Sequence, residues 1–291
     1  MIVQLWLHSS HIGEVGRRVA RLWSQKKALK LQQNVSVNKD LSADQSAPFD
    51  SKDPHSPFPR PEQLRFLIEP DMCSKTVSMI LFIISKPSEF QRRRDIRQSW
   101  ASSSNVDFSE TKIVFILGNA TNEEDSFFVK VEGVEFRDIV HADVHEGHFH
   151  LSKKTLAGLE WARRRCENAQ CVVKANSDKV MHIENMKKRC QEHSSQPVIL
   201  GNCDIDREVI RQPSKWRVPK DVYFPDLYPR YCSTGAYTFA GNITAIEGIL
   251  RASLLTSFYH SSNLRMLPED VLFTGIFAEI ALLKRITVPG A

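Results

Sequence analysis

The sequence predicts an α/β fold, a single domain with a mixed, largely parallel central sheet flanked by helices. Short apolar runs rich in β-branched residues, such as residues 77–84 and 112–117, are typical of buried strands. Longer polar segments with helical character separate them. Strands that alternate with helices favour parallel pairing, because each helix crosses over the sheet to the next strand.

The composition is that of an ordinary globular protein. The 291 residues are 42% hydrophobic and 25% charged, which suffices for one sizeable core. A formal net charge of +5 is spread over interspersed acids and bases, so the surface is only mildly basic. The chain has neither an aromatic RNP-type strand nor zinc-finger spacing, and we therefore expect no nucleic-acid partner.

The first 70 residues differ from the rest of the chain. Residues 1–30 contain no apolar stretch as long as a signal peptide or membrane anchor, although residues 11–30 suit a short basic helix. Residues 31–70 are polar and interrupted by prolines, which predicts a disordered stem or linker, because they bury too little apolar surface to offset the entropy of ordering. The folded domain is expected at residues 71–291.

The predicted elements follow in order along that domain. The run at residues 77–84 is apolar on both faces, as a central strand requires, and the polar segment 89–100 suits a crossing helix. Further strands are predicted at residues 112–117, 133–140, 171–174 and 236–240, and further helices at residues 151–166, from 183 and at 245–255. Ligands of open α/β sheets bind beyond the carboxyl ends of the strands, so site residues are expected in the loops that follow them.

Six cysteines are scattered through the predicted domain without C-x-x-C spacing. They fit a disulfide framework in an oxidising compartment, and they also fit six reduced core thiols, since cysteine buries readily. Glycosylation sequons begin at Asn34, Asn119 and Asn242 and favour the secretory pathway.

Two stretches lie beside the first predicted strands, and the first of them places arginines where a diphosphate would bind. The first, RRDIRQSW, begins at Arg93 and includes Arg97, at the junction of a strand and a helix, where arginines meet a diphosphate well. The same residues also suit a solvated helix face. The second stretch is Asp138-Ile139 followed by EGHFHLSKKT, which ends at Thr155.

Two further stretches carry acids. The third, KANSD, runs from Lys174 to Asp178 directly after a predicted strand. The fourth begins near Trp216, continues through YPRYCSTGAY and ends in EDVLFTG, which starts at Glu269. Glu269 and Asp270 follow a proline, and acids there also suit the first turn of a helix.

In this order, the four stretches resemble the beta-1,3-galactosyltransferase family, glycosyltransferase family 31. The family patterns are R-x-x-I-R-x-[TS]-W, D-I with D-S-Y-x-N-L-T-x-K-T, K-x-D-D-D, and Y-P-x-Y-x-x-G-x-Y with E-D-V-x-x-G, and the resemblance covers residues 77–276. It implies a GT-A-like fold and an inverting hexosyltransferase that moves galactose or N-acetylglucosamine from a UDP-sugar to a glycan acceptor, in protein or lipid glycosylation. It also implies a lumenal Golgi location with membrane association, although the chain shows no anchor.

The resemblance implies a role for individual residues. Asp270 is expected to act as the general base, and Asp178 to hold a manganese ion. The residues expected on the nucleotide-sugar side are Arg93, Arg97, Lys174, Asn176 and Ser177. Those expected on the acceptor side are Trp216, Tyr231, Gly235 and Glu269.

The chain departs from the family in three places. Asn176 and Ser177 replace two carboxylates, which should weaken metal binding because a hard cation is held by negative oxygen ligands. His148 and His150 replace the usual tyrosine and asparagine. The chain stops soon after Gly275, where the family continues, so the domain is expected to be truncated at its C-terminus.

Two alternatives remain open. A catalytically impaired member would bind glycans or proteins on the same scaffold, as the lost carboxylates suggest. A zinc site is the other, built from the closely spaced histidines at positions 141, 145, 148 and 150.

Overall fold

The computed structural model describes residues 64–147, 150–205, 207–256, 258–259 and 262–288. They belong to two compact units. The sheet unit comprises Glu62–Arg207, Tyr228–Ala252 and Pro268–Ala291, and the small unit includes Glu208–Leu227 and Ser253–Leu267. The predicted N-terminal segment 1–30 and most of the predicted linker lie outside the described residues.

An eight-stranded sheet forms the sheet unit, in the order β1-β4-β3-β2-β5-β7-β6-β8. The strands are β1 (Phe66–Ile68), β2 (Met79–Ile84), β3 (Thr111–Asn119), β4 (Ile139–His145), β5 (Cys171–Asn176), β6 (Val198–Asn202), β7 (Ser233–Ala240) and β8 (Lys284–Thr287). The β4–β3, β3–β2, β2–β5 and β6–β8 pairings are parallel. The β1–β4, β5–β7 and β6–β7 pairings are antiparallel. The predicted mixed, largely parallel sheet is confirmed.

Helices connect most of the strands. They are α1 (Phe90–Gln98), α2 (Glu123–Phe136), α3 (Leu151–Arg165), α4 (Ile183–Glu192), α5 (Thr244–Leu254), α6 (Ser262–Arg265) and α7 (Phe277–Ile280), with a π-helical segment at Val271–Ile276. In the part of the chain that the structure describes, we find no helix that is both long and apolar enough to span a bilayer.

The central strands are buried on both faces because their sequences are apolar at every position. All six residues of β2 are buried. One face contributes Leu81 and Ile83 to the main core cluster. On the opposite face Phe82 packs against α3 so closely that a Cβ on Gly158 would lie 2.7 Å from its ring. Each fully buried Leu, Ile or Phe contributes about 2 kcal/mol, so this layer dominates the stability of the sheet.

The prediction of a strand at residues 133–140 is wrong for the first half of that range. Helix α2 continues to Phe136, and β4 begins only at Ile139. The alternation of apolar and polar residues mimics a strand, but capping decides the outcome: the Asn122 side chain accepts a hydrogen bond from Asp125 N at 2.7 Å. Gly133 then allows close approach, since a Cβ there would lie 3.1 Å from Ile68 Cγ2.

The folded region also starts earlier than predicted. Strand β1 lies inside the range 31–70 assigned to a linker, and it pairs with β4, with Phe66 opposite Ala142. A three-residue strand carries too little periodicity to be seen against a polar background.

All six cysteines form disulfides, so the framework alternative is confirmed. The pairs are Cys73–Cys166, Cys171–Cys190 and Cys203–Cys232. The second joins β5 to α4, and the third joins the segment after β6 to the residue that precedes β7.

In the small unit, Arg211 organises the loop. Its guanidinium donates to the carbonyl oxygens of Val218 at 2.6 Å, Tyr223 at 2.9 Å and Pro225 at 2.6 Å. Trp216 lies in this unit and is 42% exposed.

Candidate active site

The candidate site lies at the edge of the sheet where β2 and β5 end and β7 begins. Parallel pairing aligns the two carboxyl ends, with Ile84 opposite Asn176. The antiparallel partner β7 starts at the same edge, because Ala175 pairs with Ala236. This is the edge at which ligands of open α/β sheets bind.

The turn after β5 carries the predicted donor-side residues. Asn176 Oδ1 is buried without a hydrogen-bond partner. Ser177 donates its hydroxyl to Glu89 Oε2 at 3.0 Å, and its backbone N–H donates to Ile84 O at 3.1 Å. Asp178 is exposed. The turn therefore offers one free carboxylate and one unsatisfied amide oxygen.

Glu89 is a carboxylate anchored beside this turn. Its Oε2 also accepts from the backbone N–H of Lys86 at 3.0 Å and from Ser85 Oγ at 3.1 Å. Burial raises its pKa, but the hydrogen bonds from Lys86, Ser177 and Ser85 outweigh burial, and the net pKa is lowered. Glu89 is therefore anionic at neutral pH.

A buried ion pair lies next to the candidate base. Lys174 Nζ and Glu269 Oε2 are 2.9 Å apart, with side-chain exposures of 1% and 4%. The Tyr237 hydroxyl donates to Glu269 Oε1. Burial first, and the charge of Glu269 second, hold the Tyr237 pKa well above its ordinary value, so Tyr237 remains a neutral donor. The predicted site residues Lys174 and Glu269 thus contact each other rather than open solvent.

Asp270 is a half-buried carboxyl group with a raised pKa. Burial is the largest cause, and the adjacent charge of Glu269 is the second. Opposing contributions come from a hydrogen bond with Ser233, the charge of Lys174 and the N–H of Val271, which donates to Asp270 Oδ1 at 3.0 Å. Contact with Ser233, the first residue of β7, places Asp270 at the same sheet edge as the turn after β5.

The π-helical segment holds Asp270 in place. Thr274 Oγ1 donates to Asp270 O at 2.6 Å and accepts from Cys232 N at 2.8 Å. Gly275 allows the segment to approach the preceding chain, because a Cβ there would lie 3.1 Å from Tyr231 Cβ. Short π-helical insertions occur often at functional sites.

The predicted donor-side arginines form internal ion pairs. Arg93 is fully buried and donates to Glu132, to Ser85 Oγ at 3.0 Å and to the carbonyl oxygen of Pro87 at 3.1 Å. Arg97 forms a bidentate pair with Asp138 at 2.7 and 2.8 Å. Burial lowers the Arg97 pKa, but Asp138 outweighs it and the net pKa is raised. Contact of either arginine with a nucleotide stays a prediction.

Sequence reasoning assigned no role to Lys154, which occupies a central position. Its Nζ donates to Ser85 O at 2.6 Å and to Glu146 Oε1 at 2.7 Å, and the same Glu146 oxygen accepts from Gly118 N at 2.8 Å. Burial lowers the Lys154 pKa, and Glu146 opposes that shift. The pair ties the ends of β2 and β3 together. The match of this lysine to the family motif was the available signal.

The structure shows no ligand-binding contact for three residues that were expected on the acceptor side. Tyr231 packs edge-on against Tyr228 with ring centroids 6.0 Å apart. Gly235 adopts φ +80°, which favours glycine. Trp216 belongs to the small unit. Their acceptor-side roles stay predictions.

Glycosylation of the three sequon asparagines stays a prediction. Asn119 donates to Asp143 Oδ1 at 2.8 Å, and Asn242 accepts from Thr244 N at 2.8 Å. Asn34 lies outside the described residues.

Within the described ranges, no three His, Cys, Asp or Glu side chains are grouped so as to hold a metal ion. Of the histidine cluster, His148 lies outside those ranges and His141 is buried in β4. Burial lowers the pKa of His141.

A cavity of about 290 Å³ lies beside the turn, against α4 and the β5–β7 face. Two basic side chains line it, Lys179 and Arg189, and no acidic residue does. Lys179 Cε would lie 2.9 Å from a Cβ built on Gly235, and so would Asn176 Nδ2. The lysine side chain therefore folds back over the end of β5 and the start of β7.

Comparisons with known proteins agree with the sequence motifs. Over 205 residues, covering 69% of this chain and 62% of the relative, the chain is 29% identical to beta-1,3-galactosyltransferase 1 of Mus musculus. It is 30% identical to beta-1,3-galactosyltransferase 5 of Pan paniscus over 62% of this chain and 61% of that protein. The chain thus spans less than two thirds of the length of these relatives.

Among solved structures, the galactosyltransferase LgtC, in complex with donor and acceptor sugar analogs, overlaps with a TM-score of 0.36 at 11% identity. That overlap covers 67% of this chain and 71% of LgtC. The family model described as Galactosyltransferase matches residues 91–289, which is more than half of the chain. This chain belongs to the galactosyltransferase family.

Proposed function

We propose that this chain is a hexosyltransferase that moves galactose or N-acetylglucosamine from a UDP-sugar to a hydroxyl group of a glycan acceptor, with inversion. One observation carries the proposal: Asp270, a desolvated carboxyl group with a raised pKa, lies at the same sheet edge as the turn after β5. A general base works best when its pKa approaches the working pH, and burial has that effect.

The transfer step follows from that placement. The acceptor oxygen attacks the anomeric carbon from the side opposite the nucleotide, while the Asp270 carboxylate takes the hydroxyl proton. The bond between the anomeric carbon and the phosphate oxygen breaks, and its electron pair leaves with UDP. One bond forms, one breaks and one proton moves, so the step needs no further reactant.

The residues around Asp270 support its role as a base. The negative charge of Glu269 raises the pKa of Asp270, and the positive charge of Lys174, which pairs with Glu269, opposes that effect. We assign Glu269, Lys174 and Tyr237 to positioning, because they are buried against one another. Arg93 is assigned to the loop after β2, whose carbonyl oxygens it binds.

The turn after β5 does not fit the manganese ion that the resemblance implies. A hard divalent cation needs several oxygen ligands, usually including carboxylates. The turn supplies one carboxylate at Asp178, a neutral amide at Asn176 and a serine hydroxyl already donated to Glu89.

We further propose that the protein works in the lumen of the Golgi. Three disulfides support an oxidising compartment, since such bonds are rare in the cytosol. Sequons at Asn119 and Asn242 agree with that compartment.

The test is transfer by the purified chain from UDP-galactose and UDP-N-acetylglucosamine to a panel of glycan acceptors. Asp270→Asn should lower kcat by about 100-fold or more, because the amide cannot accept the proton. Asp71→Asn, at an exposed site, is the matched control and should leave kcat unchanged. Equal activity of Asp270→Asn and the parent would remove the proposed base.

A second function is favoured by the missing carboxylates at positions 176 and 177: a glycan- or protein-binding member without transfer activity. It predicts glycan binding that is insensitive to Asp270→Asn, with no sugar transferred from any donor. Product formation in the transfer assay would exclude it.

A further inference from the structure

A departing nucleoside diphosphate needs a positive charge beside it. As the bond to the sugar breaks, negative charge builds on the phosphate oxygens, and an enzyme stabilises it with a cation or with basic side chains. This inference rests on the proposed transferase function. Since the turn after β5 does not fit a divalent cation, the positive charge must come from another group.

The basic residues expected near the donor are already neutralised by partners inside the protein. Lys174 pairs with Glu269 at 2.9 Å, and both side chains are buried. Arg93 pairs with Glu132 at 2.6 Å, and its side chain has no exposed surface. To reach a ligand, Lys174 would have to leave the buried Glu269 without a counter-charge, and Arg93 would have to give up its bonds to Glu132, Ser85 and the carbonyl oxygen of Pro87.

Lys179 differs from these residues. It directly follows Asp178, and its N–H donates to Asn176 O at 3.1 Å, so it belongs to the same turn. Among the residues that the structure describes, no carboxylate lies within ion-pair distance of its Nζ. Its side chain lies against Gly235, whose missing Cβ leaves the space for it. Lys179 is half-buried, so its charge is screened less than the charge of a fully solvated lysine.

The neighbours of Lys179 leave its charge available. Asn176 is neutral, whereas an aspartate there would lie beside the lysine and offset its charge. The Asn176 Oδ1 atom is buried without a partner and suits a hydroxyl donor of a ligand. The lining of the adjoining cavity contains no acidic residue.

We propose that Lys179 binds the diphosphate of the nucleotide-sugar in place of a divalent cation, so that donor binding and transfer by this chain are independent of metal. The Lys179 ammonium group pairs with the phosphate oxygen that receives the electrons of the broken bond. Asp270 takes the acceptor proton, as above. In this proposal, Lys179 supplies the positive charge that a metal ion would bring, so the turn no longer needs the two carboxylates that Asn176 and Ser177 replace.

Calorimetry with UDP tests the proposal directly. The full chain, freed of metal with EDTA, should bind UDP with a Kd within about twofold of that measured with added Mn²⁺. Lys179→Ala should weaken UDP binding by about tenfold or more, the effect of losing one charge-assisted contact. Lys179→Arg should retain most of the affinity, because it keeps the charge.

Lys188→Ala is the matched control, since Lys188 is an exposed lysine of α4 outside the turn. It should leave the Kd unchanged. Asn176→Asp adds a carboxylate beside Lys179, so it should weaken binding of UDP in EDTA, and Mn²⁺ should restore it. Thermal melting of every variant excludes misfolding as the cause.

The outcomes separate this inference from the proposed function. UDP binding that disappears in EDTA and returns with Mn²⁺ would overturn the role of Lys179 and leave the transferase proposal standing. An unchanged Kd for Lys179→Ala would overturn it equally. No UDP binding under either condition would refute the transferase proposal itself, together with this inference.

Discussion

Replacing Glu269 by glutamine tests the buried ion pair beside the candidate base. The pair is fully desolvated, with side-chain exposures of 1% for Lys174 and 4% for Glu269 and a separation of 2.9 Å. The substitution keeps the shape and an acceptor for Tyr237, but it leaves the Lys174 ammonium without a counter-charge. Breaking a buried pair in this way costs about 3–5 kcal/mol. We expect about 3 kcal/mol, since the glutamine oxygen still accepts a hydrogen bond.

Urea denaturation at pH 7 with disulfides intact measures the change in the free energy of unfolding. For a domain of this size, about 3 kcal/mol corresponds to roughly 6–12 °C in Tm. The control is Glu69→Gln, which breaks the exposed pair with Arg165 and should cost less than about 1 kcal/mol. Adding Lys174→Met to the Glu269 variant should recover part of the loss, because it removes the unpaired charge.

A loss from Glu269→Gln no larger than that from Glu69→Gln would refute the reasoning. That result would show that the charge of Glu269 is not needed to stabilise the buried Lys174 ammonium group. Failure of the double variant to recover stability would show that packing, rather than charge, explains the loss.

Three further predictions follow from the site. Because the pKa of Asp270 is raised in the folded protein, its carboxyl group stabilises the fold at low pH, and this stabilisation is lost as the pH rises through that pKa. Transfer activity should rise over the same pH interval, because the carboxylate form that acts as the base appears there. Glu269→Gln removes the second cause of that shift, so the acidic limb of the kcat/KM profile should move to lower pH; an unmoved limb would contradict this. Arg93→Met should lower the free energy of unfolding by about 3 kcal/mol in urea titrations, whereas exposed Arg94→Met on the same helix should change it by less than about 0.5 kcal/mol. Gly235→Ala should cost about 1–3 kcal/mol, because its φ of +80° is strained for alanine, and a melting curve equal to that of the parent would contradict the backbone geometry.

The central layer of the sheet could be predicted because burial on both faces leaves a direct mark in the sequence. Strands β2 and β3 are continuous apolar runs, and their bounds differ from the prediction by only a few residues. The segment 133–136 could not be assigned from alternation alone, since the capping residue Asn122 lies far upstream of it. Strand β1 depends on pairing with β4, which is a tertiary contact.

The sequence motifs point to the residues of the candidate site but not to the contacts that those residues make. The order of the motifs indicates Asp270 and the turn after β5. No motif shows that Arg93 forms an ion pair with Glu132, or that Lys174 forms one with Glu269. Lys179, which we propose to bind the diphosphate, lies one residue beyond the motif, so the motif gives no indication of it. The packing of its side chain against Gly235 is a tertiary contact that the sequence does not show.

The π-helical segment at Val271–Ile276 makes the site sensitive to chain length. A π-turn contains one residue more than an α-turn, so deleting a single residue here would let the segment relax to an ordinary α-helix. One residue of an α-helix corresponds to about 100° of rotation. Such a deletion would turn Asp270 away from Ser233 while Phe277 stayed in the core, and the protein would remain folded with its base facing the wrong direction. A deletion of one residue in this segment should therefore be tolerated by the fold and not by the activity.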